Sequence, residues 1–294
     1  MIAITGASGQ LGRLVIDALL KKLPATEIVA AVRNPDRVAD LAARGVHVRH
    51  ADYNQPATLE AAFRGVDKLL LISSSEVGSR LPQHRAVIEA AGRAGVKLIA
   101  YTSLLHADTS PLGLAAEHQA TEALLKDSGL PFVLLRNGWY SENYLASVPT
   151  ALQFGALIGS AGDGRIASAA RADYATAAAA VLTGENQAGR VYELAGDTSY
   201  SLAELAAEVA RQSGQPVAYQ NLPEAEFKAA LVGAGLPDGF AALLADSDAG
   251  AAQGALFDDS LALSLLIGRP TTPISAQIKP VLDALHNMPA QSIA

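Results

Sequence analysis

The stretch Met1-Ile2-Ala3-Ile4-Thr5-Gly6-Ala7-Ser8-Gly9-Gln10-Leu11-Gly12 decides the fold. An apolar run that reads as a strand enters a glycine-rich turn, and the turn opens onto a helix start. The three glycines have separate uses in a dinucleotide phosphate cradle. Gly6 permits the tight turn, Gly9 lets backbone approach a pyrophosphate, and Gly12 lets the helix pack closely on the strand. Ala7, Ser8, Gln10 and Leu11 complete a loop whose helical end offers free N–H groups and a positive dipole to phosphates.

Outward from this turn, Ile28-Val29-Ala30-Ala31-Val32 forms a second apolar strand and ends at Arg33. NAD-binding folds usually place an acid there to hold the ribose 2′-hydroxyl. An acid would repel a 2′-phosphate, whereas a guanidinium pairs well with phosphate oxygens. The same alternation continues, with strands expected near 1–5, 27–32, 46–51, 68–73, 97–102 and 131–136 and helices near 10–23, 35–44, 57–64, 82–94 and 114–128. Such alternation builds a parallel sheet covered on both faces, an α/β Rossmann-like, doubly wound architecture. Asn34-Pro35 reads as a helix cap, and Gly45, Gly65, Gly95 and Gly129 follow helices where a left-handed residue is wanted.

After Asn137 the pattern changes. A segment carrying Trp139, Tyr140, Tyr144 and the glycines 155, 159, 162 and 164 reads as a loop excursion, and the alanine-rich run 175–182 reads as a buried helix. A strand near 190–195 returns to the sheet, and helices near 201–213, 223–234 and 258–267 form a smaller cap. The expected division is a cofactor domain from 1–137 and about 166–198, with a mostly helical substrate cap from about 138–165 and 199–294.

Ligands of an open parallel sheet sit beyond the carboxyl ends of its strands, so the strand exits are the first candidates. After strand three come Asp52 and Tyr53, which either cap the next helix or neighbour an adenine. Ser73, Ser74 and Ser75 follow strand four, as a self-satisfied turn or as ribose contacts. Ser103 ends strand five. Asn137, at the sixth exit, holds ribose or carboxamide or ties the loop. Trp139, Tyr140 and Tyr144 form either core or a flat substrate wall, with Asn137, Glu142 and Asn143 as polar neighbours that favour a cleft. His84, His106 and His118 read mainly as packing or surface histidines.

Composition limits the alternatives. With 294 residues, half of them hydrophobic, the chain can bury a large core. A net charge of −7 without a Lys/Arg cluster argues against a nucleic-acid partner. The absence of cysteine excludes disulfides, thiolate metal sites and cysteine nucleophiles. No apolar run reaches the length of a membrane span, and Gly6 interrupts the opening run before it resembles a leader, so a cytoplasmic protein is the expectation.

Longer stretches carry a resemblance that the glycine turn alone does not. Val32-Arg33-Asn34-Pro35, Leu69-Leu70-Leu71-Ile72-Ser73-Ser74-Ser75-Glu76-Val77-Gly78, Tyr101-Thr102-Ser103-Leu104-Leu105-His106-Ala107-Asp108, Leu135-Arg136-Asn137-Gly138-Trp139-Tyr140-Ser141-Glu142-Asn143-Tyr144 and Leu256-Phe257-Asp258-Asp259-Ser260 resemble the atypical, NmrA-like branch of the short-chain dehydrogenase/reductase superfamily, and within it the bacterial quinone reductases. The resemblance implies NADPH, with NADH weaker, and hydride transfer to a small-molecule quinone without flavin or metal. It extends the cofactor site to Asn137, Gly138, Trp139, Tyr140 and Glu142 and leaves the nicotinamide pocket to Asn137, Trp139, Tyr140, Tyr144 and His118. A homo-oligomer is compatible with it.

One departure matters. Many superfamily reductases carry Tyr-x-x-x-Lys on the helix after strand five. If Glu122 matches the acid that often follows that motif, the tyrosine position holds Leu114 and the lysine position His118. Reduction of an isolated carbonyl makes a basic alkoxide and gains about 10² to 10⁴ from a positioned acid. A quinone that accepts hydride becomes a resonance-stabilised phenolate able to take its proton from water, so orientation carries most of the rate. No firm catalytic acid is therefore assigned. The competing expectation is a redox sensor that binds NAD(P) with little turnover.

Overall fold

The computed structural model describes residues 1–287. The first half alternates β1 (Ile2–Thr5), α1 (Gln10–Leu20), β2 (Ile28–Val32), α2 (Ala39–Ala43), β3 (His47–His50), α3 (Pro56–Ala62), β4 (Lys68–Leu71), α4 (Arg80–Ala94), β5 (Leu98–Leu104), α5 (Ala115–Asp127) and β6 (Phe132–Asn137). There follow α6 (Ser141–Leu145), α7 (Val148–Phe154), β7 (Ala156–Gly159), α8 (Arg171–Thr183) and β8 (Val191–Leu194). The remainder is α9 (Leu202–Ser213), β9 (Ala218–Asn221), α10 (Glu224–Gly233), α11 (Asp238–Ala251), α12 (Ala262–Ile267) and α13 (Ile274–His286).

Seven strands pair in the order β3-β2-β1-β4-β5-β6-β8, every pair parallel. The order in which the chain adds strands reverses between β1 and β4, which opens a crevice beyond their carboxyl ends. Alternating strand residues feed opposite faces. Ile4 and Leu70 pack with Leu11, Val15, Ile16 and Leu19 of α1 and with the alanines of α8, whereas Ala3, Leu69 and Leu71 pack with Leu59, Phe63, Val87 and Leu125 on the α3–α5 side. Alanine at 175, 177, 178 and 179 lets α8 lie close to α1. Asn34 caps its turn through a 3.0 Å bond from the Asp36 N–H, with Pro35 next, as the sequence predicts.

The segment 138–165 departs from the expected loop excursion, because it holds α6, α7 and β7. Strand β9 and helices α11 and α13 are also additional to the sequence reading, and β7 pairs with β9 in a parallel two-stranded sheet. These short elements lack a strong period of their own. They gain their burial from a separate cluster that joins Trp139, Tyr144, Val148, Leu157, Leu205, Ala251, Ile278 and Leu282. Helix α12, within the expected cap range, instead places Leu263 in the core with α8 and β8. The end of that range, 288–294, lies outside the described residues. Among the described residues no helix is long and apolar enough to cross a membrane.

Candidate active site

The opening turn forms the mouth of a crevice of about 460 Å³ at the sheet's switch point. Gly6 adopts φ +59°, and its carbonyl accepts the Gly9 N–H at 2.9 Å to close the turn. A Cβ on Gly12 would lie 2.6 Å from the Gly6 carbonyl oxygen and 2.7 Å from the Ala7 Cα, so α1 can approach β1 only with glycine there. The first helical N–H to bond back is Arg13's, to Gly9 O at 3.0 Å. Those of Gln10, Leu11 and Gly12 therefore have no intrahelical acceptor. No side chain caps this end and no acid stands in its first turn, which leaves the positive helix end open to an anion.

Of the sequence-predicted residues, Gly6, Ser8, Gly9, Gln10, Leu11, Gly12, Arg33, Asp52, Tyr53, Ser73, Ser74, Ser75 and Tyr140 all line this crevice. Ala7 lies wholly buried beneath it. Arg33 is exposed at the lip, 2.9 Å from Glu76. Asp52 accepts the Asn54 N–H at its carboxylate at 2.9 Å, closing a turn before α3. The Tyr53 hydroxyl donates to Thr5 Oγ1 at 2.6 Å, which ties the exit of β3 to that of β1, and burial pushes its phenol up.

The serine turn is clamped from behind. Ser74 donates its N–H to His84 Nε2 at 2.9 Å and accepts at its carbonyl from Arg80 Nε at 2.6 Å. His84 Nδ1 consequently carries the proton and donates to Thr121 Oγ1 at 2.9 Å. His118 lines neither this crevice nor the cleft described below. Its Nε2 faces the Arg80 guanidinium at 3.3 Å and its Nδ1 the Tyr101 hydroxyl at 2.7 Å, so it belongs to the network under the serine turn. Burial, reinforced by the Arg80 cation, lowers the imidazoles of His84 to about 4 and His118 to about 3. Ser103 is buried and donates to Glu122 Oε1 at 2.6 Å, and Leu114 packs at the start of α5.

Asn137 is 7% exposed at the end of β6, and its Oδ1 is buried without a partner, an acceptor still to be satisfied. Gly138 is packed so closely that a Cβ would lie 3.0 Å from Leu194 O. Trp139, Glu142 and Tyr144 line a second, larger cleft of about 660 Å³. Its walls are mainly apolar, with Leu157 from β7, Phe227 and Leu231 from α10, and Phe240 and Leu244 from α11. Tyr144 donates to Asp248 Oδ1 at 2.7 Å and Ser160 N–H to Oδ2 at 2.9 Å, while burial pushes the Asp248 carboxyl up.

Gln10 and Arg171 line both cavities. Arg171, which sequence reading did not single out, begins α8. Its backbone N–H donates to Glu142 Oε1 at 2.9 Å, and its guanidinium stacks 4.5 Å over the Tyr140 ring and donates to Gln10 Oε1. The Gln10 contact spans 161 positions, so no local pattern announces it. The result is a cation beside an open helix N-terminus, where the polar crevice meets the aromatic cleft.

Three comparisons place this geometry. The family described as NAD(P)H-binding matches residues 6–185. Quinone oxidoreductase 2 of Escherichia coli is 64% identical over 278 residues, covering 95% of this chain and 97% of that protein. The crystal structure of an NADPH-dependent quinone oxidoreductase from Escherichia coli, complexed with NADPH, superposes with a TM-score of 0.94 at 63% identity, covering 96% of this chain and all of that one. An NmrA-like family domain-containing oxidoreductase of Aspergillus flavus is 31% identical, over 76% of this chain and 75% of that one. With its glycine cradle, switch-point crevice and matching extent, the chain belongs to the NAD(P)H-binding family, among its NmrA-like oxidoreductases.

Proposed function

We propose that the chain is an NADPH-dependent oxidoreductase that reduces quinones by direct hydride transfer, without flavin. One observation carries this reading: a phosphate-binding crevice with Arg33 at its lip opens, past Gln10 and Arg171, onto an apolar cleft walled by Trp139 and Tyr144. The close similarity to the Escherichia coli quinone oxidoreductase supports it.

The residues fit the cofactor. The open N-terminus of α1 and Arg171 offer N–H groups and positive charge to a pyrophosphate, Arg33 meets the 2′-phosphate, and the unpartnered Asn137 Oδ1 accepts from a ribose hydroxyl or the carboxamide. Asp52 and Tyr53 flank the adenine end, and Ser73, Ser74 and Ser75 the ribose. Trp139, Tyr140 and Glu142 form the wall between the cofactor and the substrate cap, with Gly138 packed behind them against Leu194. When bound, the dihydronicotinamide supplies a hydride. The chain's own part is orientation: the clamp on Ser74 fixes one wall of the crevice, Tyr140 is wedged between Arg171 and Tyr174, and the apolar cleft holds a flat acceptor and excludes water. Neither Leu114 nor His118 supplies an acid to the cleft, which suits an acceptor whose reduced form is a stabilised phenolate.

Purified, flavin-free protein given NADPH and a simple benzoquinone should oxidise the cofactor with saturation in both substrates. Tight NADPH binding with turnover no faster than the uncatalysed background would overturn the enzyme reading in favour of a sensor.

A further inference from the structure

We propose that Glu76 sets the cofactor preference of the crevice by competing with a 2′-phosphate for Arg33 and by accepting the 2′-hydroxyl when that phosphate is missing. The inference rests on the reading that Arg33 meets the adenine ribose.

The two side chains come from different strand exits, Arg33 from β2 and Glu76 from the loop after β4, and both line the crevice. Arg33 Nη1 donates to Glu76 Oε1 at 2.9 Å. The other carboxylate oxygen accepts from Gln83 Nε2 at 2.7 Å, and Gln83 is itself buried in α4. The Glu76 N–H donates to Ser74 Oγ at 3.1 Å. The carboxylate is thus held at a fixed point on the lip, with one oxygen anchored to the wall and the other turned to Arg33.

An acid near a ribose 2′ position has two opposite effects. It accepts a hydrogen bond from a 2′-hydroxyl, the use to which NAD-binding folds put an acid at the end of strand two. It also repels a 2′-phosphate, because like charges in one site disfavour each other. Here the cation occupies the strand-two position and the acid arrives from the neighbouring loop, so one ion pair contains both specificities. Arg33 has five N–H donors and can keep part of its contact with Glu76 while turning others to a phosphate. The arrangement predicts NADPH first, with NADH still admitted. Both partners are substantially exposed, so the effect is modest and screened by salt.

The test is Glu76→Gln, which keeps an oxygen for Gln83 but removes the charge. Steady-state kcat and KM are measured with NADPH and NADH, and dissociation constants with adenosine 2′,5′-bisphosphate and adenosine 5′-monophosphate. The expected result is a KM for NADPH lower by about threefold and a KM for NADH higher by about threefold, with the two adenosine probes moving in the same directions and the change shrinking at high salt. An unchanged NADPH/NADH ratio, or equal weakening of both, overturns the proposal. Arg33→Ala is measured alongside. If it impairs NADPH alone while Glu76→Gln moves nothing, only the role of Glu76 falls; if it impairs both cofactors equally, the phosphate reading falls and Glu76 with it.

Discussion

The crevice and the cleft meet at Gln10 and Arg171, yet they are built from different materials. The crevice is mostly backbone at its centre: a turn with φ +59° at Gly6, free N–H groups at the start of α1, and a serine loop held by its own peptide groups. The cleft is mostly side chain, with Trp139 from the segment after β6, Phe227 and Leu231 from α10 and Phe240 from α11. A surface made of backbone recognises what every nucleotide cofactor has in common, its phosphates, and cannot absorb an added atom. One made of apolar side chains recognises shape, and can exchange one residue for another at small cost.

The sharpest way to break this contrast is Gly12→Val. Its Cβ would fall 2.6 Å from the Gly6 carbonyl oxygen, so the cradle must distort, and NADPH binding by calorimetry should become unmeasurable. Retained binding in a well-folded variant would mean that the cradle is more compliant than its geometry shows.

A second effect comes from the network behind the serine turn. In the folded chain burial lowers His84 to about 4 and His118 to about 3, below the 6.5 of a free imidazole. Above the free value both are neutral whether the chain is folded or not, so they leave stability unchanged. As pH falls through it, the unfolded chain takes up protons that the folded chain refuses, and stability is lost progressively until the folded values are reached. At a pH near 5 the loss is about 2 kcal/mol for each histidine. Urea unfolding at neutral and mildly acid pH measures it, and His84→Gln should remove about half of the difference. A pH dependence untouched by that substitution would show that the clamp on Ser74 does not depend on a neutral imidazole.

The smallest effect belongs to the cleft. Phe240 is half exposed on its wall, and Phe240→Ala should raise KM for a bulky quinone by about threefold while leaving KM for NADPH within about twofold. A comparable change in both constants would mean that the two cavities are coupled through Gln10 and Arg171 more tightly than their separate construction indicates.

What could be read in advance follows the same division. The Rossmann-like sheet, the cradle and Arg33 at its lip are legible because they rest on short-range rules: a strand, a glycine turn, a helix start, and a residue at a strand exit. The placement of Tyr53 is legible too, but not its 2.6 Å tie to Thr5, which depends on the pairing of strands far apart in sequence. His118 illustrates the limit. Its spacing on α5 marked it as the position of a missing lysine, and only packing shows its ring turned under the serine loop toward Arg80 and Tyr101. The loop expected over 138–165 failed for a related reason. Elements as short as α6 and β7 carry too few residues for a period to show, and they are stabilised by a cluster drawn from residues as far away as Leu282.

The sequence by itself therefore determined the parallel sheet, its strand exits and the chemistry of the anion cradle, since these follow from local backbone preferences and alternation. Tertiary structure alone decided that Arg171 crosses to Gln10, that Glu76 partners Arg33, and that Asp248 and Tyr144 share the floor of one cleft. Those contacts join residues 161, 43 and 104 positions apart. Chain folding brings such pairs together through the burial of the cores around them, and no pattern confined to either neighbourhood records the meeting.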